Sequence, residues 1–297
     1  MRKFEQSRLF LSGRFGNQIF QLCAVLYMHK VAGWPIRLNA RATRPKNLSL
    51  LINSKLVSIS ELDLTFGQKI YLKGNKFGAL CDKWVALKDF LLYKLERTGW
   101  FLKLLVYLRP NLVYVSDLEW RKLSEIEKNF YGFFQDEQIV LENWDDLTER
   151  VSNSALQFSD IIFDKTVIVH VRLTDYLVHP EIGSLNEEYY LRCLKHFSGL
   201  DVLIITDDAK TFHQRFPVLS SLGEIFQKSD DSFECFKMMS NAKNLIIANS
   251  TFSYWGGIFS IIKDPNCKVV SPSRWRADGE KNSILCSKFL FENASYF

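Results

Sequence analysis

Val167-Ile168-Val169-His170-Val171-Arg172-Leu173-Thr174-Asp175-Tyr176 is an apolar, β-branched run that stops abruptly in a cluster of basic, acidic and hydroxyl groups. Four of its first five residues are Val or Ile, the pattern of a strand buried on both faces in a parallel sheet. In open α/β sheets the carboxyl ends of such strands border the ligand crevice. Arg172 therefore stands where its planar fork of donors could grip an anionic substrate group, phosphate above all. The same residues also read as a strand-end arginine paired with Asp175, and the segment alone does not choose.

Working outward toward the carboxyl end, the pattern alternates. A helix over 187–197 follows Asn186 as its cap, then come a strand over 202–206, a helix over 232–239, a strand over 244–249, a helix through Ile262 and a strand over 268–270. Such alternation implies a parallel sheet with right-handed crossovers. At the strand-to-helix junction Asn249-Ser250-Thr251-Phe252, hydroxyls and unpaired N–H groups could donate to phosphate, or the serine and threonine could simply cap the helix. Near the amino terminus, a short strand at 9–11 passes through Ser12-Gly13-Arg14-Phe15-Gly16-Asn17 into a helix over 18–31, then a strand over 36–38. Gly13 and Gly16 permit positive φ and a close ligand approach, and Asn17 reads as the helix N-cap beside a second anion site. Many strand-turn-helix units use Gly and Asn only to turn, so that reading also stands. Residues 40–130 are less regular, and the pattern divides near 155–165.

Composition bounds the class. The 297 residues, 47% hydrophobic, suffice for one large core or two moderate ones. The 38 basic and 33 acidic residues give only +5, too little to argue for nucleic acid. Cys23, Cys81, Cys193, Cys235, Cys267 and Cys286 form no Cys-x-x-Cys pair and read as buried thiols of a reducing compartment. No signal peptide or run of 18 apolar residues is evident, so a cytoplasmic protein is expected. Residues 84–108 interleave aromatic and aliphatic side chains with Lys and Arg. That pattern fits either a peripheral contact with the inner membrane or a core helix pair broken at Gly99.

Taken in order, the three motifs resemble those of the alpha-1,2-fucosyltransferases, glycosyltransferase family 11, particularly bacterial members of about this length. That family carries a Gly-x-Gly-Asn-Gln-x-Phe-Gln turn, a His-Val-Arg-Arg-x-Asp-Tyr motif and an Asn-Ser-Thr-Phe-Ser-Trp-Trp motif. Tyr131-Gly132-Phe133-Phe134-Gln135, Ile204-Ile205-Thr206-Asp207-Asp208 and Trp275 after Pro272 match lesser family segments, so the resemblance spans roughly residues 9–275. Two positions depart. Leu173 replaces the second arginine, which removes a positive charge from the donor site and keeps a different donor sugar open. Tyr254 replaces the first tryptophan, an aromatic exchange.

The resemblance implies an α/β fold of two Rossmann-like domains facing a cleft (GT-B type): an acceptor-side domain, residues 1–158, and a nucleotide-sugar-binding domain, residues 159–297. It implies inverting, metal-independent transfer of L-fucose from GDP-fucose to the 2-hydroxyl of a galactoside in a bacterial surface glycan, an O-antigen or lipid-linked glycan, with no cofactor. A metal-free transferase must neutralise its departing diphosphate with protein groups. No Asp-x-Asp metal motif is evident, since Asp145-Asp146, Asp207-Asp208 and Asp230-Asp231 are adjacent pairs. The expected catalytic set is Arg172, Asp175 and His170. Substrate binding falls to Arg14, Phe15, Gly16, Asn17, Gln18, Asp207, Asp208, Asn249, Ser250, Thr251 and Phe252. Asp207 and Asp208 read equally as helix caps, and His170 as a structural histidine. Asp175 leads as general base, with Glu181, Asp136 and His179 as alternatives because geometry must precede pKa. A transferase with another nucleotide sugar and a non-catalytic nucleotide- or glycan-binding module are the competing functional readings.

Overall fold

The computed structural model describes residues 7–33, 36–40, 43, 45–64, 112–117, 120–121, 129–156, 163–226, 232–279 and 284–297. Strand β1, Arg8–Phe10, leads into Gly13, whose φ of 71° reverses the backbone as only glycine does without strain. Arg14 is consequently already extended, at φ −94° and ψ 177°, and helix α1 runs Phe15–Ala32. Asn17 is therefore not the N-cap: the turn finishes at Gly13, Phe15 is buried as the first helical residue, and Arg14 occupies the cap position without a side-chain bond to the helix end. Gly16 is a helical residue, outside the described glycines of positive φ. Residues 18–25 are all buried, so α1 is a core helix with no solvated face over that span.

Strands β2 (Arg37–Asn39), β3 (Leu62–Asp63), β4 (Leu112–Tyr114) and β5 (Asn129–Tyr131) join β1 in a sheet of order β3-β2-β1-β5-β4. Every pairing in it is parallel. Helices α2 (Pro45–Asn53) and α3 (Glu137–Glu142) belong to this unit, and α4 (Trp144–Ser152) leads out of it. Contacts divide the chain into Met1–Asp146 and Leu147–Phe297, a boundary inside α4.

The second unit carries strands β6 (Thr166–Val171), β7 (Asp201–Thr206), β8 (Glu224–Phe226), β9 (Asn244–Ile246), β10 (Lys268–Pro272) and β11 (Leu290–Glu292). They pair in parallel in the order β11-β10-β9-β6-β7-β8. Helices α5 (Glu187–Leu194), α6 (Ala209–Arg215), α7 (Pro217–Leu222), α8 (Ser232–Met239) and α9 (Thr251–Lys263) connect them. The expected alternation is therefore present, with Asn186 capping α5 through the Tyr189 N–H. Residues 167–171 of β6 are all buried. Val167, Val169 and Val171 pack with Tyr189, Tyr190, Phe212 and Phe216 in one core, each such burial contributing about 1.5–3 kcal/mol.

From β6 the chain builds outward to β7 and β8, then returns to β9 on the other side of β6, so the second sheet has one reversal; in the first unit β1 to β3 build one way, and β5 and β4 lie on the other side of β1, with β5 between β1 and β4. The carboxyl ends of strands at such a switch point diverge into a crevice, the place where α/β sheets bind ligands.

Candidate functional site

Strand β6 delivers Arg172 to the carboxyl edge of the second sheet, beside the β6/β9 reversal. Its Nη2 meets Asp175 Oδ1 at 2.5 Å and its Nη1 meets Asp207 Oδ2 at 2.8 Å. Asp207 follows β7; its Oδ1 accepts from the Leu173 N–H at 2.9 Å. The Thr174 hydroxyl contacts both acids, at 2.5 Å to Asp207 Oδ2 and 3.1 Å to Asp175 Oδ1. One guanidinium thus lies between two carboxylates. Asp207 is the inner partner, its side chain 20% exposed, and Asp175 the outer one at 39%. The Tyr176 ring lies 5.7 Å from the guanidinium carbon, and its hydroxyl donates to the Asn249 carbonyl at 3.1 Å, joining the ends of β6 and β9.

His170 is buried, and its Nδ1 has no hydrogen-bond partner. Burial pushes the imidazole from 6.5 to about 4, with Asp207 opposing and the Arg172 guanidinium reinforcing the drop. It stays neutral near pH 7, with its ring 5.9 Å from that of Phe252 on α9. Ser250 is the N-cap of α9, in extended backbone and without a side-chain cap bond, and Thr251 opens the helix. The 13-residue α9 thereby begins just beyond β9, at the strand reversal.

Several residues expected at the ligand are committed to the scaffold. The buried Asn249 amide donates to the carbonyls of Gly183 at 3.0 Å, Trp275 at 3.1 Å and Ile182 at 3.4 Å, tying three loops together. Asp208 caps α6, accepting from the Thr211 N–H at 3.0 Å and hydroxyl at 2.6 Å, and those bonds hold its carboxyl below the usual range. The side chain of Leu173 is fully buried in the core with Val171 and Tyr190, so in this chain position 173 serves packing. Tyr254 is fully buried, its ring 5.6 Å from those of Trp255 and Phe289 and 6.0 Å from Trp275.

In the first unit, Arg14 is exposed, while Phe15, Gly16 and Gln18 are buried. Gln18 Nε2 donates to the Gly13 carbonyl at 3.2 Å, and its buried Oε1 has no partner. Asn17 Oδ1 accepts from Gln135 Nε2 at 2.9 Å, and Gln21 Nε2 donates to the Gly132 carbonyl at 2.8 Å. The start of α1 is thus bonded to the turn after β5, the strand beside β1. A Cβ at Gly13 would lie 2.5 Å from Asn17 Nδ2.

Among the alternative bases, Asp136 caps α3 through the Gln138 N–H at 2.8 Å, and burial, outweighing that bond, raises its carboxyl. His179 Nδ1 and Glu181 Oε1 lie 3.1 Å apart on the partly exposed loop after Tyr176. Thr174 and Ser184, whose hydroxyl donates to the Arg172 carbonyl at 3.0 Å, are site residues that the motifs did not mark. Residues 84–108 lie outside the described residues, among which no helix is long and apolar enough to cross a membrane.

Residues 113–281, more than half of the chain, match the family model for glycosyl transferase family 11. An alpha-1,2-colitosyltransferase of Escherichia coli is 30% identical over 178 residues, covering 52% of this chain and 58% of that one. The O-antigen biosynthesis glycosyltransferase WbnK of Escherichia coli is 27% identical over 135 residues, covering 42% of this chain and 44% of its own length. The matches thus span about half the length of these curated relatives. Among solved structures, the E. coli heptosyltransferase WaaC with ADP aligns over 97% of this chain and 93% of its own, at 9% identity and a TM-score of 0.47. The matched stretch contains β6, Arg172, Asp207 and the start of α9, the residues gathered at the reversal of the second sheet, and the chain belongs to glycosyl transferase family 11.

Proposed function

We propose that the protein transfers L-fucose from GDP-fucose to the 2-hydroxyl of a galactoside in a bacterial surface glycan, with inversion and without a metal. The observation that supports this is Arg172 held at the carboxyl end of β6, whose neighbour β9 leads into α9, with the Tyr176 hydroxyl bonded to the Asn249 carbonyl just before that helix. A guanidinium beside a helix amino terminus is what a nucleoside diphosphate requires, as both complement phosphate charge. In the reaction the bond from the sugar C1 to the diphosphate oxygen breaks as the acceptor oxygen bonds C1 from the opposite face. The acceptor proton leaves to a base, and negative charge accumulates on the departing GDP. Donors preorganised toward that charge act most strongly in the transition state.

The carboxylates beside Arg172 shape how this would proceed. Asp207, fixed by the Leu173 N–H, keeps the guanidinium aimed, while Asp175 is the more exposed partner and the one that a phosphate would displace. Released from Arg172, Asp175 becomes available to accept a proton, which makes it the base in this reading.

A second donor has one specific observation in its favour. A 30% identical relative is an alpha-1,2-colitosyltransferase, and colitose is fucose without its 3-hydroxyl. A panel of GDP-fucose, GDP-colitose, GDP-mannose and UDP-galactose, assayed with β-galactosides in excess EDTA, tests the reading. Turnover of GDP-fucose above the others is expected; preference for GDP-colitose would transfer the assignment to the second donor. GDP binding no better than UDP, or activity restored only by Mn²⁺, would overturn the proposed chemistry.

A further inference from the structure

The backbone of Arg172 leans on a loop that is itself held from elsewhere. Ser184 reaches the Arg172 carbonyl, and the neighbouring carbonyls of Ile182 and Gly183 receive the Asn249 amide. This loop pairs with the last residues of the chain: the Phe297 N–H donates to the Ser184 carbonyl at 3.0 Å and the Asn186 N–H to the Ser295 carbonyl at 2.9 Å. Between those bonds, Leu185 and Tyr296 form an antiparallel bridge. The Tyr296 hydroxyl donates to the Arg274 carbonyl at 2.5 Å, beside Trp275, whose carbonyl also receives the Asn249 amide. Gly183, at φ 73°, makes room for the ring, since a Cβ there would lie 2.8 Å from Tyr296 Cδ1. Arg192 anchors the segment from α5, donating to the Asn293 carbonyl at 2.5 Å and Ser295 Oγ at 2.6 Å.

We propose that Tyr296 is a positioning residue for the anion site: it clamps the 182–186 loop against the 274–275 turn and so fixes the backbone of Arg172 and the Asn249 junction before α9. The proposal rests on the nucleotide-sugar reading of that site. Tyr296 itself touches no substrate in this scheme; it acts through Ser184 and Asn249.

The test compares Tyr296→Ala and Tyr296→Phe with Leu219→Ala, which opens the same core away from the site. Each is measured for GDP affinity by calorimetry, for amide exchange over residues 173–186 and for thermal melting. Tyr296→Ala is expected to weaken GDP binding by roughly two- to thirty-fold, the range of couplings carried through packed neighbours, and to speed exchange in that loop. Tyr296→Phe, which keeps the ring, should recover part of both, while Leu219→Ala lowers the melting temperature and moves neither. If Tyr296→Ala lowers melting but leaves affinity and loop exchange as in Leu219→Ala, the positioning role is overturned. Should Tyr296→Ala fail to fold, Tyr296→Phe decides alone: weaker binding with faster loop exchange supports the role, and wild-type values for both overturn it. A wild type that binds no nucleoside diphosphate would sink the nucleotide reading, and the exchange comparison would still decide whether Tyr296 holds the loop.

Discussion

At Arg172, one side chain is asked to be both an ion-pair partner and a phosphate ligand, and the two roles make separable demands. Arg172→Ala should lower kcat by about 10²–10³, as loss of a preorganised donor to a growing negative charge does. The effect should fall on kcat more than on ground-state binding, whereas Arg14→Ala, on an exposed cap position, should be milder. Steady-state kinetics with melting curves checks this; near-normal turnover in an Arg172→Ala protein that melts many degrees lower would make Arg172 structural. His170 gives a pH prediction with a defined sign. Its imidazole titrates near 4 when folded against 6.5 when unfolded, so between those values the unfolded chain binds the extra proton. Stability is therefore fully present above pH 6.5 and declines as pH falls toward 4, by about 3 kcal/mol in all. Urea midpoints from pH 4 to 7.5 should show this slope in the wild type and a flatter one in His170→Gln.

Among elements, helix caps and strand ends decided what could be read in advance. Strand β6 and helix α9 were legible because Val-Ile-Val is a continuous β-branched run and 254–262 a long apolar one behind a Ser-Thr start. Asn17 was misread because Asn is a favoured cap, yet the left-handed Gly13 had already completed the turn, and propensity yields to such geometry. Asp207 and Asp208 could not be told apart in sequence. They are adjacent, and only the direction of the chain leaving β7 turns one toward Arg172 and the other onto α6. Asp208→Ala should therefore act as a cap loss, costing about 0.5–2 kcal/mol of stability while leaving GDP affinity unchanged. Denaturant unfolding beside calorimetry would show this, and a large affinity loss at constant stability would return Asp208 to the ligand site. The burial of Leu173 was likewise not legible, since a motif position does not say which side of the strand end its side chain takes. The link from Tyr296 to Leu185 spans more than a hundred residues and has no local signature.

For the whole molecule, two parallel sheets account for where the motifs lie: each is at the carboxyl end of a strand of its own sheet. The family match covers the second sheet almost throughout and reaches back to β4 and β5 of the first. Parallel order also governs how the protein is made. Strand β6 is the first strand of its sheet to leave the ribosome, yet its partner β9 follows far behind, Val167 pairing with Asn244. At typical elongation rates of about 5–20 residues per second, that edge of β6 waits roughly 4–15 s for its neighbour. During the wait a Val-Ile-Val edge is open to any other strand, which is how nascent chains aggregate or are captured by chaperones. A chain ended after Lys243 should accordingly be far less soluble on expression than the full chain, and charged substitutions on β6 should not be needed to see the contrast. Equal solubility of the two would mean that the β9-facing edge of β6 does not drive aggregation.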